Sequence, residues 1–122
     1  MVQESKETDY EDAVLSTLAY EFSLTDRRET ETKIKRKLRT KKFGKYDQHR
    51  VDLLRRFKDE VQTEVSRGQK SKYYTHPHSE FSDMRDFDKE ALAKEMAAAF
   101  PDIPEPSISQ FIDFAIYLYY LR

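Results

Sequence analysis

The residues best able to do chemistry lie between positions 33 and 42, where seven of ten residues are Lys or Arg. Cationic side chains at this density can follow the phosphate backbone of a nucleic acid, with strong salt dependence and little sequence preference. Basic residues nearby widen the patch. The predicted nucleic-acid-binding residues are Lys33, Lys35, Arg36, Lys37, Arg39, Lys41, Lys42, Lys45, Arg50, Lys70, Lys72 and Tyr73.

The charge of the chain is strongly segregated, although its net charge is only −1. Residues 23–46 hold ten bases and three acids, whereas residues 1–22 and 73–122 each carry a net charge of −5. Three interpretations of the basic run therefore stay open: a nucleic-acid backbone as partner, an acidic protein surface as partner, or a solvated helix face. A membrane surface is excluded, because Ile34 and Leu38 give this segment only a narrow apolar stripe.

A predicted loop over residues 68–87 offers two further kinds of chemistry. Residues 70–74 alternate bases with aromatic rings, a pattern that can grip single-stranded nucleic acid; the alternative is a Tyr73–Tyr74 lid packed on the protein. His76 and His78 could hold a metal with His49 or Glu80, but two clustered His are usually ordinary surface residues. We predict no metal site.

Catalytic signatures are missing from the sequence. There is no glycine-rich phosphate loop, no nucleophile elbow and no His-Glu-x-x-His motif. With 0 Cys, thiol catalysis, Cys-based zinc sites and disulfides are excluded. The sequence thus predicts a protein that is not an enzyme and that has no cofactor.

The basic run must be positioned by helices, which a high charged fraction and only 2 Gly favour. Capping boxes are predicted at Thr8/Glu11 and at Ser107/Gln110, and simple caps at Thr25 and Asp88. Gly44 and Gly68 are predicted helix stops. The predicted helices cover residues 9–24, 26–43, 46–67 and 89–100, and a fifth begins at Ser107.

The fifth predicted helix is apolar or aromatic all round from Phe111 to Leu121, except for Asp113. A helix that is apolar on every side is expected to be buried on every side. It is too short to cross a bilayer, which needs roughly 20 apolar residues. We therefore predict it as the centre of the core or the seam of a homodimer. The predicted core residues on it are Phe111, Ile112, Ala115, Leu118 and Tyr119.

Residues 88–100 together with Ser107–Ile112 and Ala115–Ile116 resemble the two helices of a ribbon-helix-helix DNA-binding domain. The resemblance implies an obligate dimer built around the second helix and a DNA-reading strand before the first. That strand would be residues 81–87, which carry Asp83 and Asp86 where DNA-reading residues are expected. The acidic charge of this region would also repel phosphate.

The sequence as a whole predicts an all-α, single compact domain of about five helices with a buried C-terminal helix, and it predicts that two copies form a helical dimer. Residues 1–8 are a flexible acidic tail and residues 9–122 the domain. The domain comprises basic helices over 26–67, a loop over 68–87 and a C-terminal helical hairpin over 88–122. The predicted function is non-enzymatic binding of nucleic acid, with a protein-interaction adaptor as the alternative. The N-terminus lacks a signal peptide, so we expect a cytoplasmic protein.

Overall fold

The computed structural model of the chain describes residues 8–21, 26–67, 71–73 and 87–120. Within these residues it contains five α-helices and confirms the predicted all-α fold. The chain divides into two compact units, residues 1–58 and 59–122, with the division inside the third helix. The single-domain organisation and the dimer remain predictions. The helices are α1 (Asp9–Leu18), α2 (Arg27–Lys41), α3 (Gln48–Ser66), α4 (Lys89–Ala99) and α5 (Glu105–Tyr120).

Helix α1 buries one apolar face, which includes Tyr10, Val14 and Leu18, but it ends at Leu18 rather than at the predicted residue 24. The backbone tightens there, because the N–H groups of Tyr20 and Glu21 bond the carbonyls of Thr17 and Leu18, each three residues earlier. The Glu21 carbonyl accepts a hydrogen bond from Lys58 Nζ at 3.2 Å and so has a partner outside the helix. Residues 22–25, which include the predicted cap Thr25, lie outside the described residues.

The predicted Thr8/Glu11 capping box is wrong. Thr8 occupies the N-cap position, but its side chain accepts no cap hydrogen bond. Glu11 is buried and its carboxylate pairs with Arg50, so it does not reach back to the helix start. A long-range ion pair has replaced a local cap.

Helix α2 packs against α1. Its buried residues form the narrow apolar stripe that was predicted from Ile34 and Leu38, and Thr30 extends that stripe. The helix ends at Lys41, and Lys42 rather than the predicted Gly44 terminates it. Lys42 takes the left-handed conformation at φ 57°, and Phe43 N–H bonds the Leu38 carbonyl at 3.1 Å. This six-to-one hydrogen bond is that of a Schellman motif, which satisfies carbonyls at the helix end. Lys42 thus fills a position that usually belongs to glycine.

Gly44 has a different role, in the turn between α2 and α3. Its φ is 135°, and a Cβ added there would lie 3.3 Å from Cδ2 of the Tyr10 ring. The Tyr10 hydroxyl in turn accepts the Asp47 N–H at 3.0 Å. The turn therefore wraps closely around Tyr10.

We expect Gly44→Ala to lower the free energy of unfolding by about 1–3 kcal/mol, because the new side chain meets both a strained backbone and the Tyr10 ring. Urea unfolding of the two proteins measures the difference. An exposed Ala substitution at Thr32, inside α2, is the control. An unchanged midpoint for Gly44→Ala would contradict the described turn.

Helix α3 buries a stripe of five apolar residues that recur every three or four positions: Val51, Leu54, Phe57, Val61 and Val65. It begins at Gln48, two residues after the predicted start. The reason is Asp47, whose carboxylate accepts the backbone N–H groups of His49 at 3.0 Å and Arg50 at 3.3 Å. An Asp in this role terminates the preceding turn and fixes the helix start.

Helices α4 and α5 pack against each other. The predicted Asp88 cap is confirmed, since its Oδ1 accepts the Ala91 N–H at 3.1 Å. The predicted Ser107 cap is wrong, because α5 already begins at Glu105. Pro106 fits the first turn of a helix, where a missing N–H costs nothing. Ser107 is instead buried, and its hydroxyl has no hydrogen-bond partner among the described residues.

The C-terminal helix is buried along one side, so the prediction of burial on every side was too strong. Phe111, Ile112 and Ala115 are buried as predicted, whereas Leu118 and Tyr119 are half-buried. Tyr117 is 46% exposed, and exposed Asp113 pairs with Lys89 at 3.1 Å. Tyrosine counts as apolar in a pattern, but its hydroxyl tolerates water. Among the described helices, none has the length and apolarity needed to span a bilayer.

Candidate nucleic-acid interface

The bases of α2 lie on the side of the helix that does not pack. Thr30, Ile34 and Leu38 form the buried stripe. Arg36 and Arg39 lie about 160° and 140° around the axis from Ile34, because each residue turns the helix by about 100°. We define the basic face as the exposed bases of α2 and its cap from Lys33 onward, which are Lys33, Lys35, Arg36, Arg39, Lys41 and Lys42.

The acids among the described residues barely neutralise the basic face. Lys33 pairs with Glu29 at 3.3 Å, but both side chains are more than half exposed, and such pairs are weak. Lys35 Nζ lies 4.9 Å from the centre of the Tyr46 ring, a contact that leaves its positive charge intact. Across residues 8–21, 26–67, 71–73 and 87–120, no acid lies within ion-pair distance of the other four bases of the face.

Two predicted residues beside this face are placed differently. Lys37 is half-buried and its ammonium donates to Ser16 Oγ at 2.9 Å, so it ties α2 to α1. Lys45 is exposed in the turn after α2, four residues beyond Lys41. Lys45 therefore extends the basic face, whereas Lys37 sits at its inner edge.

Two acids of the first unit, Glu11 and Glu21, pair with bases of α3 rather than with bases of α2. Glu21 accepts hydrogen bonds from Nε of Arg55 at 2.7 Å and from its second nitrogen, Nη2, at 3.2 Å. Lys58 Nζ lies 4.0 Å from the same carboxylate. The side chains of Glu21, Arg55 and Lys58 are about 95% buried, and we call them the buried ion cluster. Because Glu11 and Glu21 are paired in this way, they do not neutralise the basic face.

The charge of Arg55 is secured by its surroundings. Burial alone would lower its pKa, but the hydrogen bonds and negative charge of Glu21, with Glu31 and Asp52 beyond, raise the pKa above the usual value. Asp52 lies 3.2 Å and Glu31 3.8 Å from the guanidinium. Arg55 therefore stays cationic and belongs to the interior, not to a widened surface patch.

Arg50 is also engaged, in contrast to its predicted role as a free phosphate ligand. Its guanidinium stacks on the Tyr10 ring at 3.8 Å from the ring centre and pairs with buried Glu11. Burial raises the pKa of Tyr10, with Arg50 and the Asp47 N–H acting against that rise. The side chain of Arg50 is 43% exposed, but its charge is already matched.

The predicted stacking site in the loop is not supported by the placement of Tyr73, which is 7% exposed and has no free ring face for a base. Lys72 is exposed and pairs with Glu95 at 3.3 Å. Lys70, like Tyr74, lies outside the described residues. Tyr73 thus matches the alternative interpretation, a ring packed onto the protein.

The remaining candidate chemistry falls largely outside the described part of the chain. His76, His78 and Glu80 are not among the described residues, so the metal hypothesis is untested. Within the described ranges, no three His, Asp or Glu side chains are grouped as a metal would require. The strand position of the ribbon-helix-helix resemblance, residues 81–86, also lies outside them.

The groove between α4 and α5 is shallow and open. It forms two adjoining hollows of about 470 and 520 Å³, lined mainly by Ala93, Ala97, Ala98 and Ser109, with Glu90 at both. Lys89 and Lys94 each line one hollow, beside acids of the same helices.

The buried ion cluster was not anticipated from the sequence, although a signal for it exists. Arg55 lies four residues after Val51, and Lys58 lies four after Leu54, so both continue the apolar stripe of α3. Residues four apart share a helix face. A charge on an apolar stripe therefore indicates a buried, paired charge.

The comparisons with known proteins add nothing to these observations. No protein-family model matches the chain, and neither a curated protein nor a solved structure matches it significantly.

Proposed function

We propose that this protein binds the phosphate backbone of nucleic acid through the basic face of α2. The proposal is for a non-enzymatic protein of the cytoplasm. The observation that carries it is the sorting of charge in residues 1–58. Glu11 and Glu21 pair with Arg50, Arg55 and Lys58, while the basic face is exposed and, among the described residues, pairs with an acid at Lys33 alone.

The size of the face suits a backbone contact. From Lys33 to Lys42 it extends about 13 Å along the axis, at 1.5 Å per residue. One strand of duplex DNA presents a phosphate about every 3.4 Å of axis, so the face spans about four phosphates. Long Lys and Arg side chains can adapt to either strand. Such contacts position a protein but carry no sequence information.

The narrow apolar stripe of α2 supports the same interpretation. With Ile34 and Leu38 directed into the protein, the exposed side of α2 offers charge and hardly any apolar area. Protein interfaces generally contain an apolar or aromatic centre, which this face does not present. An acidic protein surface is the second candidate partner, and electrostatic attraction alone would bring it to the basic face.

The test is binding to a short mixed-sequence DNA duplex as salt is raised from about 50 to about 200 mM. About four phosphate contacts predict a slope of log affinity against log salt near −4, since each contact contributes about −0.9. Poly-glutamate serves as a competitor with negative charge but no phosphate. A slope near zero, or displacement of the duplex by equal charge concentrations of poly-glutamate, would reject the nucleic-acid assignment.

A further inference from the structure

The basic face contains one hydroxyl, that of Thr40, whose surroundings differ from those of the other threonines of α2. Thr30 and Thr32 donate their hydroxyls to carbonyls four residues earlier, at 2.8 and 3.0 Å. Thr40 is exposed, and its hydroxyl makes no hydrogen bond to any residue that the structure describes. Its oxygen is thus free to react.

The charged residues nearest to Thr40 along α2 are all positive. Arg36 and Lys37 precede it by four and three residues, which places them beside it on the helix surface. Arg39 and Lys41 flank it in sequence. Thr32, by contrast, has acids as well as bases at these positions, since Glu31 flanks it and Glu29 precedes it by three residues. Of the three threonines of α2, only Thr40 has bases and no acid at these positions.

The position of Thr40 also permits access. It is the penultimate residue of α2, which ends at Lys41, and last turns of helices fray. A modifying enzyme could therefore open this turn without unfolding the packed part around Ile34 and Leu38.

We infer that Thr40 is a phosphorylation site for a protein kinase that selects basic segments, and that its phosphate switches off the basic face. The Thr40 oxygen would attack the γ-phosphorus of ATP. The bond from that phosphorus to ADP breaks, ADP leaves with the electron pair, and the hydroxyl proton passes to the kinase's base. The products are phosphothreonine, ADP and a proton.

The effect on binding follows from charge. A phosphate carries about −1.5 to −2 charges at neutral pH, and Arg36, four residues earlier, lies where it can pair with it. The phosphate would therefore offset about two of the positive charges of the basic face. At about 0.1 M salt each lost contact costs about eightfold in affinity, so phosphorylation should weaken duplex binding by about 30- to 100-fold. This effect rests on the proposed function, whereas the modification itself does not.

The experiment treats the full-length protein with a purified basophilic serine/threonine kinase and Mg-ATP. Mass spectrometry locates the phosphate, and duplex affinity is measured before and after. We expect phosphate on Thr40, none in Thr40→Val, and the stated loss of affinity only in the protein that carries Thr40. Phosphate placed elsewhere, or none, overturns the site. A phosphorylated protein that binds as before overturns the switch.

Two glutamate variants give a second measurement that needs no kinase. Thr40→Glu should weaken duplex binding by about five- to tenfold, because one negative charge then stands amid the bases. Thr63→Glu adds the same charge at an exposed position of α3 beside the acids Asp59, Glu60 and Glu64, and a loss of less than about threefold is expected. Equal losses in the two variants would count against a specific role of Thr40. If the unmodified protein does not bind the duplex at all, the proposed function fails, while the location of the phosphate still decides the site.

Discussion

Replacing Lys35, Arg36 and Arg39 together by Gln is expected to weaken binding to a DNA duplex by two to three orders of magnitude at about 0.1 M salt. Each of the three is exposed on α2, and no acid among the described residues pairs with it. Each phosphate contact contributes about eightfold at this salt concentration. The slope of log affinity against log salt should also change from near −4 to near −1, because about one of the four contacts remains. Fluorescence anisotropy with a labelled duplex measures both.

The matched control removes the same charge elsewhere. Arg56, Lys72 and Lys94 are exposed, and Lys72 pairs with Glu95. Their replacement by Gln changes the net charge equally and should reduce affinity by less than about tenfold, through long-range attraction alone. Circular dichroism of both variants establishes that α2 is intact, and Gln is a good helix former. Comparable losses in the two triple variants would show that net charge matters and the basic face does not.

Glu21→Gln is expected to lower the free energy of unfolding by about 3–5 kcal/mol. The substitution keeps the shape of the side chain but removes the negative charge that Arg55 and Lys58 share. Two buried cations would then lack their main counter-charge, and an uncompensated buried charge is strongly destabilising. Urea unfolding followed by circular dichroism measures the change.

The control for this prediction is Glu29→Gln, which removes an exposed partner of Lys33 and should cost less than about 1 kcal/mol. A second comparison separates charge from packing. The triple variant Glu21→Leu, Arg55→Met and Lys58→Met replaces the buried ion cluster with apolar side chains of similar volume, and such replacements are often neutral or stabilising. A Glu21→Gln variant as stable as the parent would show that the cluster is hydrated in solution.

The fold was largely predictable because its helices follow the spacing of their apolar residues. The stripe of α3 from Val51 to Val65 and the pair Ile34 and Leu38 on α2 are both buried as their spacing predicts. The errors lie at helix ends. At the start of α1, the sequence predicts a Thr8/Glu11 cap, but Glu11 pairs with Arg50 instead. After the end of α1, Glu21 pairs with Arg55. The local sequence does not reveal these distant partners.

The same limit applies to the candidate site. Exposure of the α2 bases could be predicted, because only two apolar residues interrupt them. The engagement of Arg50 could not, because its partner Glu11 lies 39 residues away in sequence. Burial of Tyr73 was only one of two interpretations of an aromatic loop. Sequence spacing predicts which face of a helix is apolar, but it does not predict which distant charge a side chain will meet.

The left-handed backbone at Lys42 affects both the stability of the protein and the charge at the end of α2. A side chain other than glycine in the left-handed region costs roughly 1 kcal/mol, and glycine would end the helix without that cost. The chain nevertheless carries a cation there, next to the last turn of α2. Glycine at position 42 would make the protein more stable but would remove one positive charge. Thermal stability should therefore rise and affinity for phosphate should fall when this single residue is replaced.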